Sequence, residues 1–237
     1  MLNVGQLIKA SLEMGRRLLG PAWHARHPAR ALVPIRSLGP SHLERIRAHL
    51  LSLGPRDRYL RFGYAANDEQ IGRYVDGLNF ERDEIFGIYN RRLTLLAMAH
   101  LAFSVDPQCN SCAEFGVSVI ERVRGRGYGA RLFDRAVMHA RNEGVSLMFV
   151  HALSENTAML KIARKAGASV EREGGESECY LRLPPADIDS RISELLEEQI
   201  AQTDYHLKVQ ARQFLDVLKV VQDVRQGVRE ARERTAR

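Results

Sequence analysis

Hydrophobic residues recur along residues 32–185 with two different spacings. Short apolar runs between turn residues predict strands, and apolar residues at every third or fourth position predict amphipathic helices. The predicted strands cover residues 32–36, 84–89, 93–105, 113–120 and 147–153, followed by a hairpin of residues 170–173 and 178–183. The predicted helices cover residues 41–53, 68–78, 129–142 and 156–165, the second capped by Asn67 and the fourth ended by Gly167. This order of elements predicts an α/β domain.

Residues 186–237 have a different pattern, which begins after two prolines at 184 and 185. Apolar residues follow one another at steps of three and four, with no proline and no glycine before Gly227, so a long helix or helical hairpin is predicted. The apolar stripe comprises Ile192, Leu195, Leu196, Ile200, Leu207, Phe214, Leu218, Val221, Val224 and Val228. Thr203, His206 and Gln210 interrupt a strict coiled coil. We expect a second copy of the chain or a partner protein to cover this stripe, in preference to the chain's own domain.

Charge is concentrated near the start of the chain. The formal net charge is +6, and residues 1–58 hold ten basic against three acidic residues. Residues 1–31 are predicted to form a basic amphipathic segment ahead of the domain. A solvated basic face is favoured over an anionic partner, and nucleic acid is not expected as a partner because aromatic residues are nearly absent there.

The sequence shows neither a membrane span nor a secretory signal. No run approaches eighteen apolar residues, and Lys9, Glu13 and Arg16 interrupt any apolar core near the amino terminus. We therefore expect a cytoplasmic protein with no transmembrane segment.

Three cysteines are present, Cys109, Cys112 and Cys179. In a cytoplasmic chain we expect them to be reduced. The first two form a C-x-x-C pair, which we interpret as part of a turn between two strands. A metal or redox pair is the alternative, but no second ligand pair accompanies it, so no metal site is predicted.

A glycine-rich turn joins the strand at 113–120 to the helix at 129–142. Gly125, Gly127 and Gly129 alternate with Arg126 and Tyr128. A strand, glycine turn and helix in this order aim free backbone N–H groups and a helix dipole at one point, which suits a phosphate or pyrophosphate. A Walker loop is excluded because neither Lys nor Ser/Thr follows Gly127. A dinucleotide-binding unit would place this turn after its first strand.

The pattern Arg-x-x-Gly-x-Gly at 122–127 is preceded by Val-Ser-Val-Ile and followed by Ser-Glu-Asn-Thr-Ala-Met at 154–159. This combination resembles the GNAT superfamily of acyl-CoA-dependent N-acetyltransferases over about residues 32–185. Residues 32–36 and the sequence Arg-Tyr-Leu-Arg-Phe at 58–62 are similar to the branch that includes bacterial protein-lysine acetyltransferases. The resemblance implies a mixed central sheet with helices on both faces and acetyl-CoA as co-substrate.

The resemblance also implies where acetyl-CoA binds. The pantetheine arm is expected to hydrogen-bond to the backbone of Val117, Ser118 and Val119 like an added strand, with help from Asn156. The pyrophosphate is expected at the amides of Gly125, Arg126, Gly127, Tyr128, Gly129 and Ala130. The guanidinium groups of Arg122, Arg124 and Arg126 would add positive charge nearby.

Two side chains are candidates for the general base that deprotonates the acceptor amine. Glu114 stands in an Ala-Glu-Phe context similar to that of related lysine acetyltransferases. His151 stands five residues before Asn156, where other members carry a glutamate, and imidazoles titrate near neutral pH. A strand amide would meet the oxyanion. Many members place a tyrosine general acid seven residues after the asparagine, and here that position is Ala163.

Two functions follow from these residues. The first is an N-acetyltransferase that moves an acetyl group from acetyl-CoA to a primary amine, either a protein lysine or a small molecule. The second is a non-catalytic acyl-CoA sensor or scaffold that acts on a partner through the long helix of residues 186–237. Glu114 and His151 favour the enzyme, whereas Ala163 keeps the alternative open.

Overall fold

The computed structural model describes residues 33–235 and, apart from those of residues 108, 173, 176 and 188, the side chains as far as residue 213. The predicted amphipathic segment of residues 1–31 lies outside the described residues. The strands are β1 Arg36–Ser37, β2 Glu84–Tyr89, β3 Leu95–Phe103, β4 Cys112–Val119, β5 Leu147–Leu153, β6 Ser169–Glu173 and β7 Glu176–Arg182. The helices are α1 Leu43–Leu51, α2 Pro55–Phe62, α3 Asp68–Asp76, α4 Tyr128–Asn142, α5 Thr157–Lys165 and α6 Ile188–Thr235.

The strands form one seven-stranded sheet in the order β1-β2-β3-β4-β5-β7-β6. The β4–β5 pair is parallel, and the other neighbouring pairs are antiparallel. A parallel pair needs a crossover, which α4 provides. The predicted α/β fold with a mixed central sheet is therefore confirmed.

Alternate residues of β4 divide the core into two layers. Phe115 packs edge-on against Phe133 of α4, with ring centroids 5.0 Å apart. Ser118 faces the opposite side, where its hydroxyl contacts His49 of α1. Helices therefore cover both faces of the sheet, as predicted, with α1 and α2 on one face and α4 on the other. This arrangement leaves β4 between two helical layers.

Local chemistry explains several helix ends. The side chain of Asn67 accepts a hydrogen bond from the backbone N–H of Gln70, and the Gln70 side chain accepts one from the backbone N–H of Asn67, so α3 begins with a capping box. Helix α2 begins at Pro55 and is followed by Gly63 in the left-handed conformation. Helix α2 was not predicted from the sequence, and the predicted first strand, residues 32–36, overlaps β1 only at Arg36.

The first half of α6 packs on its own domain, contrary to the preference stated above. Arg135, a 3% exposed side chain of α4, forms ion pairs with Glu194 at 3.5 Å and Glu198 at 3.2 Å. Further along α6, the ring of Tyr205 lies 3.8 Å from the guanidinium carbon of Arg36. The docking face is thus mainly polar and charged, a feature that the spacing of apolar residues does not reveal.

Three residues of the predicted stripe point away from this docking face. Ile192, Leu195 and Leu207 are 50%, 67% and 37% exposed. The stripe positions from Phe214 onward lie beyond the described side chains, and the predicted dimer or partner contact stays a prediction.

Cys109 and Cys112 form a disulfide bond, which corrects the expectation of three reduced thiols. The short helical turn Pro107–Cys109 within the β3–β4 connection brings their Cα atoms to 5.4 Å, within the range that a disulfide spans. Cys179 is a buried free thiol. Within residues 33–235, no helix has the length and apolar character needed to cross a bilayer.

Candidate active site

A cleft opens where β4 and β5 diverge. The two strands pair through only three residue pairs, the last being Glu114 with Phe149. Beyond this pair the end of α2 lies over the gap, and β7 contributes to its wall. The cleft is lined by Leu60, Arg61, Phe62, Gly63, Glu114, Phe115, Gly116, Val117, Val150, His151, Ala152, Leu153, Asn156, Met159, Ser177 and Glu178.

The glycine turn has a backbone conformation that suits an anion such as phosphate. Gly125 and Gly127 have φ values of +74° and +78°, a region that other residues rarely adopt. Gly127 stands immediately before α4, and no described side chain caps this helix end. The first-turn amides of Tyr128, Gly129 and Ala130 therefore lack intrahelical partners and are available to an anion.

The predicted site residues on β4, β5 and at the start of α5 differ in whether their side chains line the cleft. Glu114, Val117, His151 and Asn156 line the cleft together. Ser118 does not, because its side chain is 6% exposed and turned toward α1. Its backbone is the part that the resemblance assigns to pantetheine, so a buried side chain is compatible with that expectation.

Ser118 forms a buried pair with His49. Imidazole Nδ1 of His49 lies 3.0 Å from the Leu95 carbonyl, which can only accept, so Nδ1 carries the proton. Nε2 therefore accepts a hydrogen bond from the Ser118 hydroxyl at 2.8 Å. Burial lowers the pKa of His49 to about 4, so this imidazole is neutral at physiological pH. The pair fixes the segment of β4 next to the cleft.

Other predicted residues already have protein partners. Arg124 forms an ion pair with Asp57 of α2. Asn156 accepts a hydrogen bond from the Met159 amide at 3.2 Å and so caps α5. Nδ1 of His151 lies 3.4 Å from a carboxylate oxygen of Glu178, and both side chains are about half exposed. Each of these contacts orients the residue at the edge of the cleft or the turn.

Arg61 enters the cleft at a position that requires a glycine on β4. A Cβ placed on Gly116 would lie 2.6 Å from the guanidinium carbon of Arg61 and 2.7 Å from two of its nitrogens. Gly116 therefore gives the guanidinium direct access to the sheet surface. An isolated glycine within a strand signals such a close approach, but it does not identify the group that approaches.

A chain of hydrogen bonds holds Arg61 from behind. Arg61 donates to the Tyr74 hydroxyl at 2.8 Å, and this hydroxyl lies 2.8 Å from Nδ1 of His100. Nε2 of His100 lies 3.1 Å from the carboxylate of Asp83, which also accepts two hydrogen bonds from Arg82. Burial lowers the pKa of His100, so the neutral form with its proton on Nε2 fits both neighbours. None of these hydrogen-bonded residues was predicted from the sequence as a site residue.

Ala163 gives no substitute for the missing tyrosine acid. It is fully buried within α5 and does not line the cleft. Tyr128 is half-buried and packs against the core beneath α1 and α3. The described cleft thus offers no tyrosine from either position to the leaving sulfur.

Comparison with known proteins agrees with this geometry. The sequence model of the acetyltransferase (GNAT) family matches residues 55–168, which include α2, the cleft strands β4 and β5, the glycine turn and α5. The GNAT domain of S. lividans PAT superimposes with a TM-score of 0.54 at 19% identity, covering 63% of this chain and 89% of that domain.

Two further solved structures have the same fold. An N-acetyltransferase from Staphylococcus aureus gives a TM-score of 0.52 at 16% identity, covering 65% of this chain and all of that one. Spermidine N-acetyltransferase from Vibrio cholerae, solved with CoA and spermine, gives 0.50 at 15% identity, covering 65% and 96%. The matched family model shows that residues 55–168 are an acetyltransferase (GNAT) domain, and the sheet with its diverging strands has the same fold as the solved structures.

Proposed function

We propose that the domain transfers an acetyl group from acetyl-CoA directly to a primary amine, with Glu114 as the general base. One observation carries this proposal. Glu114 is the last residue of β4 that pairs with β5, so its exposed carboxylate lies at the point where the cleft begins. The glycine turn lies at the opposite end of β4, and a ligand with its phosphates there would extend its other end toward Glu114.

Each part of the cleft and of the glycine turn would have a different role in acetyl transfer. The amides of residues 125–130 would hold the pyrophosphate, and the backbone of residues 117–119 would hold the pantetheine arm. Glu114 would accept the proton of the attacking amine. A β4 amide would donate to the oxyanion. Because Ala163 is buried, water is our candidate for protonating the thiolate.

His151 remains the rival base. Its contact with Glu178 would hold the imidazole at the edge of the cleft, and its exposure leaves it open to an acceptor. The two candidates make different predictions for single variants. With Glu114 as base, Glu114→Gln lowers kcat by about two to four decades, the usual range for general-base catalysis, while acetyl-CoA affinity stays nearly unchanged.

The test is CoA-thiol release by the purified full chain with a panel of small amines and lysine peptides. The control variant is Glu171→Gln, which removes an exposed carboxylate of β6 outside the cleft and should keep wild-type turnover. Loss of turnover in His151→Ala but not in Glu114→Gln would make His151 the base. Calorimetric binding of acetyl-CoA without thiol release for any amine would favour the sensor or scaffold function instead.

A further inference from the structure

We propose that Arg61 binds the carboxylate of the acceptor, and that the acceptor is a small amine with a carboxylate close to its amino group, as in an α-amino acid. This inference rests on the proposed function, which leaves the acceptor unspecified. It depends on three features of Arg61: its place in the cleft, its lack of a neutralising partner, and its separation from Glu114.

The guanidinium of Arg61 is held in place but is not neutralised. Among the described residues it forms one hydrogen bond, to the Tyr74 hydroxyl, and no ion pair. The rings of Phe62 and Tyr74 lie 5.2 Å and 5.4 Å from its central carbon. A guanidinium has five N–H donors in a planar fork, so most of them remain available in the cleft.

The hydrogen-bond network behind Arg61 does not cancel the charge of its guanidinium. Asp83 is the only carboxylate in that network, and it is already paired with the Arg82 guanidinium at 2.6 and 2.7 Å. Tyr74 and neutral His100 relay hydrogen bonds without adding a negative charge. The network therefore fixes the orientation of Arg61 and leaves a positive charge directed at a ligand.

Acetyl-CoA does not bring an anion to this place. Its phosphates belong at the glycine turn beyond the far end of β4, and the thioester end is uncharged. The anion that Arg61 meets is therefore supplied by the acceptor. Two carboxylates, Glu114 and Glu178, line the same cleft and favour the cationic end of such an acceptor. A zwitterion thus fits the charges better than a simple amine does.

The spacing on β4 favours a short separation between the two charges. Glu114 and Gly116 are two residues apart on the same face, so their backbones are separated by about 7 Å. In an α-amino acid the nitrogen and the carboxylate carbon are about 2.5 Å apart, and with a hydrogen bond of about 2.8 Å at each end the ligand spans about 8 Å, which is comparable with this separation. A lysine side-chain amine is several bonds further from its own carboxylate.

The acceptor amine is then an α-amine. Its nitrogen bonds to the acetyl carbon and the C–S bond of the thioester breaks. The proton of the amine passes to the base, and CoA leaves as the thiolate.

The test uses acceptors that differ only in the carboxylate. We would measure kcat/KM for CoA-thiol release with α-amino acids and with their carboxamides, using aliphatic, acidic and basic side chains. Loss of a charge-assisted hydrogen bond to the carboxylate corresponds to about a 10- to 100-fold preference for the free acids. With free L-lysine, mass spectrometry should find the acetyl group on the α-nitrogen.

Two variants alter Arg61 in different ways. Arg61→Gln removes the charge, and Gly116→Ala keeps the charge but displaces the guanidinium, because the new Cβ would lie within 2.7 Å of it. Both should lower kcat/KM for the acids by about 10- to 100-fold, mostly through KM, and change the amides by less than about threefold. Gly175→Ala is the matched control, since its Cβ would have no neighbour within 4 Å. Calorimetry with acetyl-CoA checks that each variant is folded.

Several outcomes would overturn the inference while leaving the proposed function intact. They are equal or better turnover of the amides by the wild type, acetylation of L-lysine on its side-chain nitrogen, and preference for lysine peptides with blocked termini. An equal loss of kcat for acids and amides in Arg61→Gln would assign the guanidinium to the thioester oxygen instead. Absence of thiol release with every amine, peptides included, would overturn the proposed function itself.

Discussion

Replacing Arg135 tests whether buried charge holds the first half of α6 on the domain. Arg135 is 3% exposed and lies 3.2 Å and 3.5 Å from the carboxylates of Glu198 and Glu194. Arg135→Met preserves an unbranched side chain against Phe86 but leaves Glu198 without its cation and Glu194 with His139 alone. We expect the protein to fold but to lose stability at neutral pH.

The size of this loss follows from the geometry. Breaking a buried ion pair costs about 3–5 kcal/mol, because one charge remains uncompensated. Here the carboxylate side chains retain 16% and 22% exposure and can partly rehydrate, so the lower end of that range applies. We therefore expect the free energy of unfolding to fall by about 3 kcal/mol and Tm by about 6–12 °C for a chain of this size.

Urea and thermal unfolding of matched variants measure this effect. Adding Glu198→Gln to Arg135→Met should recover most of the loss, because the carboxylate left without a cation becomes a neutral amide while Glu194 keeps its contact with His139. Arg73→Met removes an exposed pair with Glu69 and should cost less than about 0.5 kcal/mol. A loss in Arg135→Met no larger than that in Arg73→Met, or a loss that the added amide leaves unchanged, would show that buried charge does not hold α6 on the domain.

Three further expectations follow from the structure. Gly127→Trp should abolish acetyl-CoA binding by calorimetry, because the φ of +78° disfavours a side chain and the indole would block the phosphate turn; tight binding would contradict the site. Burial opposes a charge on His139, but the hydrogen bond and charge of Glu194 outweigh it and raise the pKa of His139. Its contribution to stability is complete below about pH 6.5 and is lost as the pH rises through the raised pKa, so His139→Gln should flatten this part of a stability–pH curve. Ending the chain at residue 213 should keep α6 docked and the domain folded while lowering the oligomeric state in sedimentation; an unchanged state would place any contact elsewhere.

Much of the fold could be predicted because its main elements have strong periodic patterns. The bounds of β2 and β5 agree with the prediction, and those of α4 differ by one residue. Helix α2 was missed although Pro55 and Gly63 are suitable boundary residues, because eight residues with four charges give a weak apolar pattern. Local pattern was sufficient for long apolar elements and insufficient for a short polar helix.

The candidate site shows a similar division. The glycine turn and Glu114 could be proposed as site residues from the sequence because the patterns that suggest them lie within short stretches. Arg61 could not, since its place in the proposed site depends on Gly116, fifty-five positions later, and on Tyr74 behind it. The docking of α6 was likewise hidden, because Glu194 and Glu198 are typical of a solvated helix face until Arg135 is placed opposite them. The disulfide also depended on a turn geometry that cysteine spacing alone does not fix.

The early divergence of β4 from β5 links the stability of the folded protein to its ligand. In the described chain, β4 pairs with β3 as far as Val119 but with β5 only as far as Glu114, so the sheet has an internal edge. A ligand whose amides bond to that edge binds the folded state and not the unfolded one. At a hundred times its Kd such a ligand adds about 2.7 kcal/mol of stability. With acyl-CoA bound at this edge as proposed, resistance to heat and proteolysis should rise and fall with its supply, even where no acceptor amine is present.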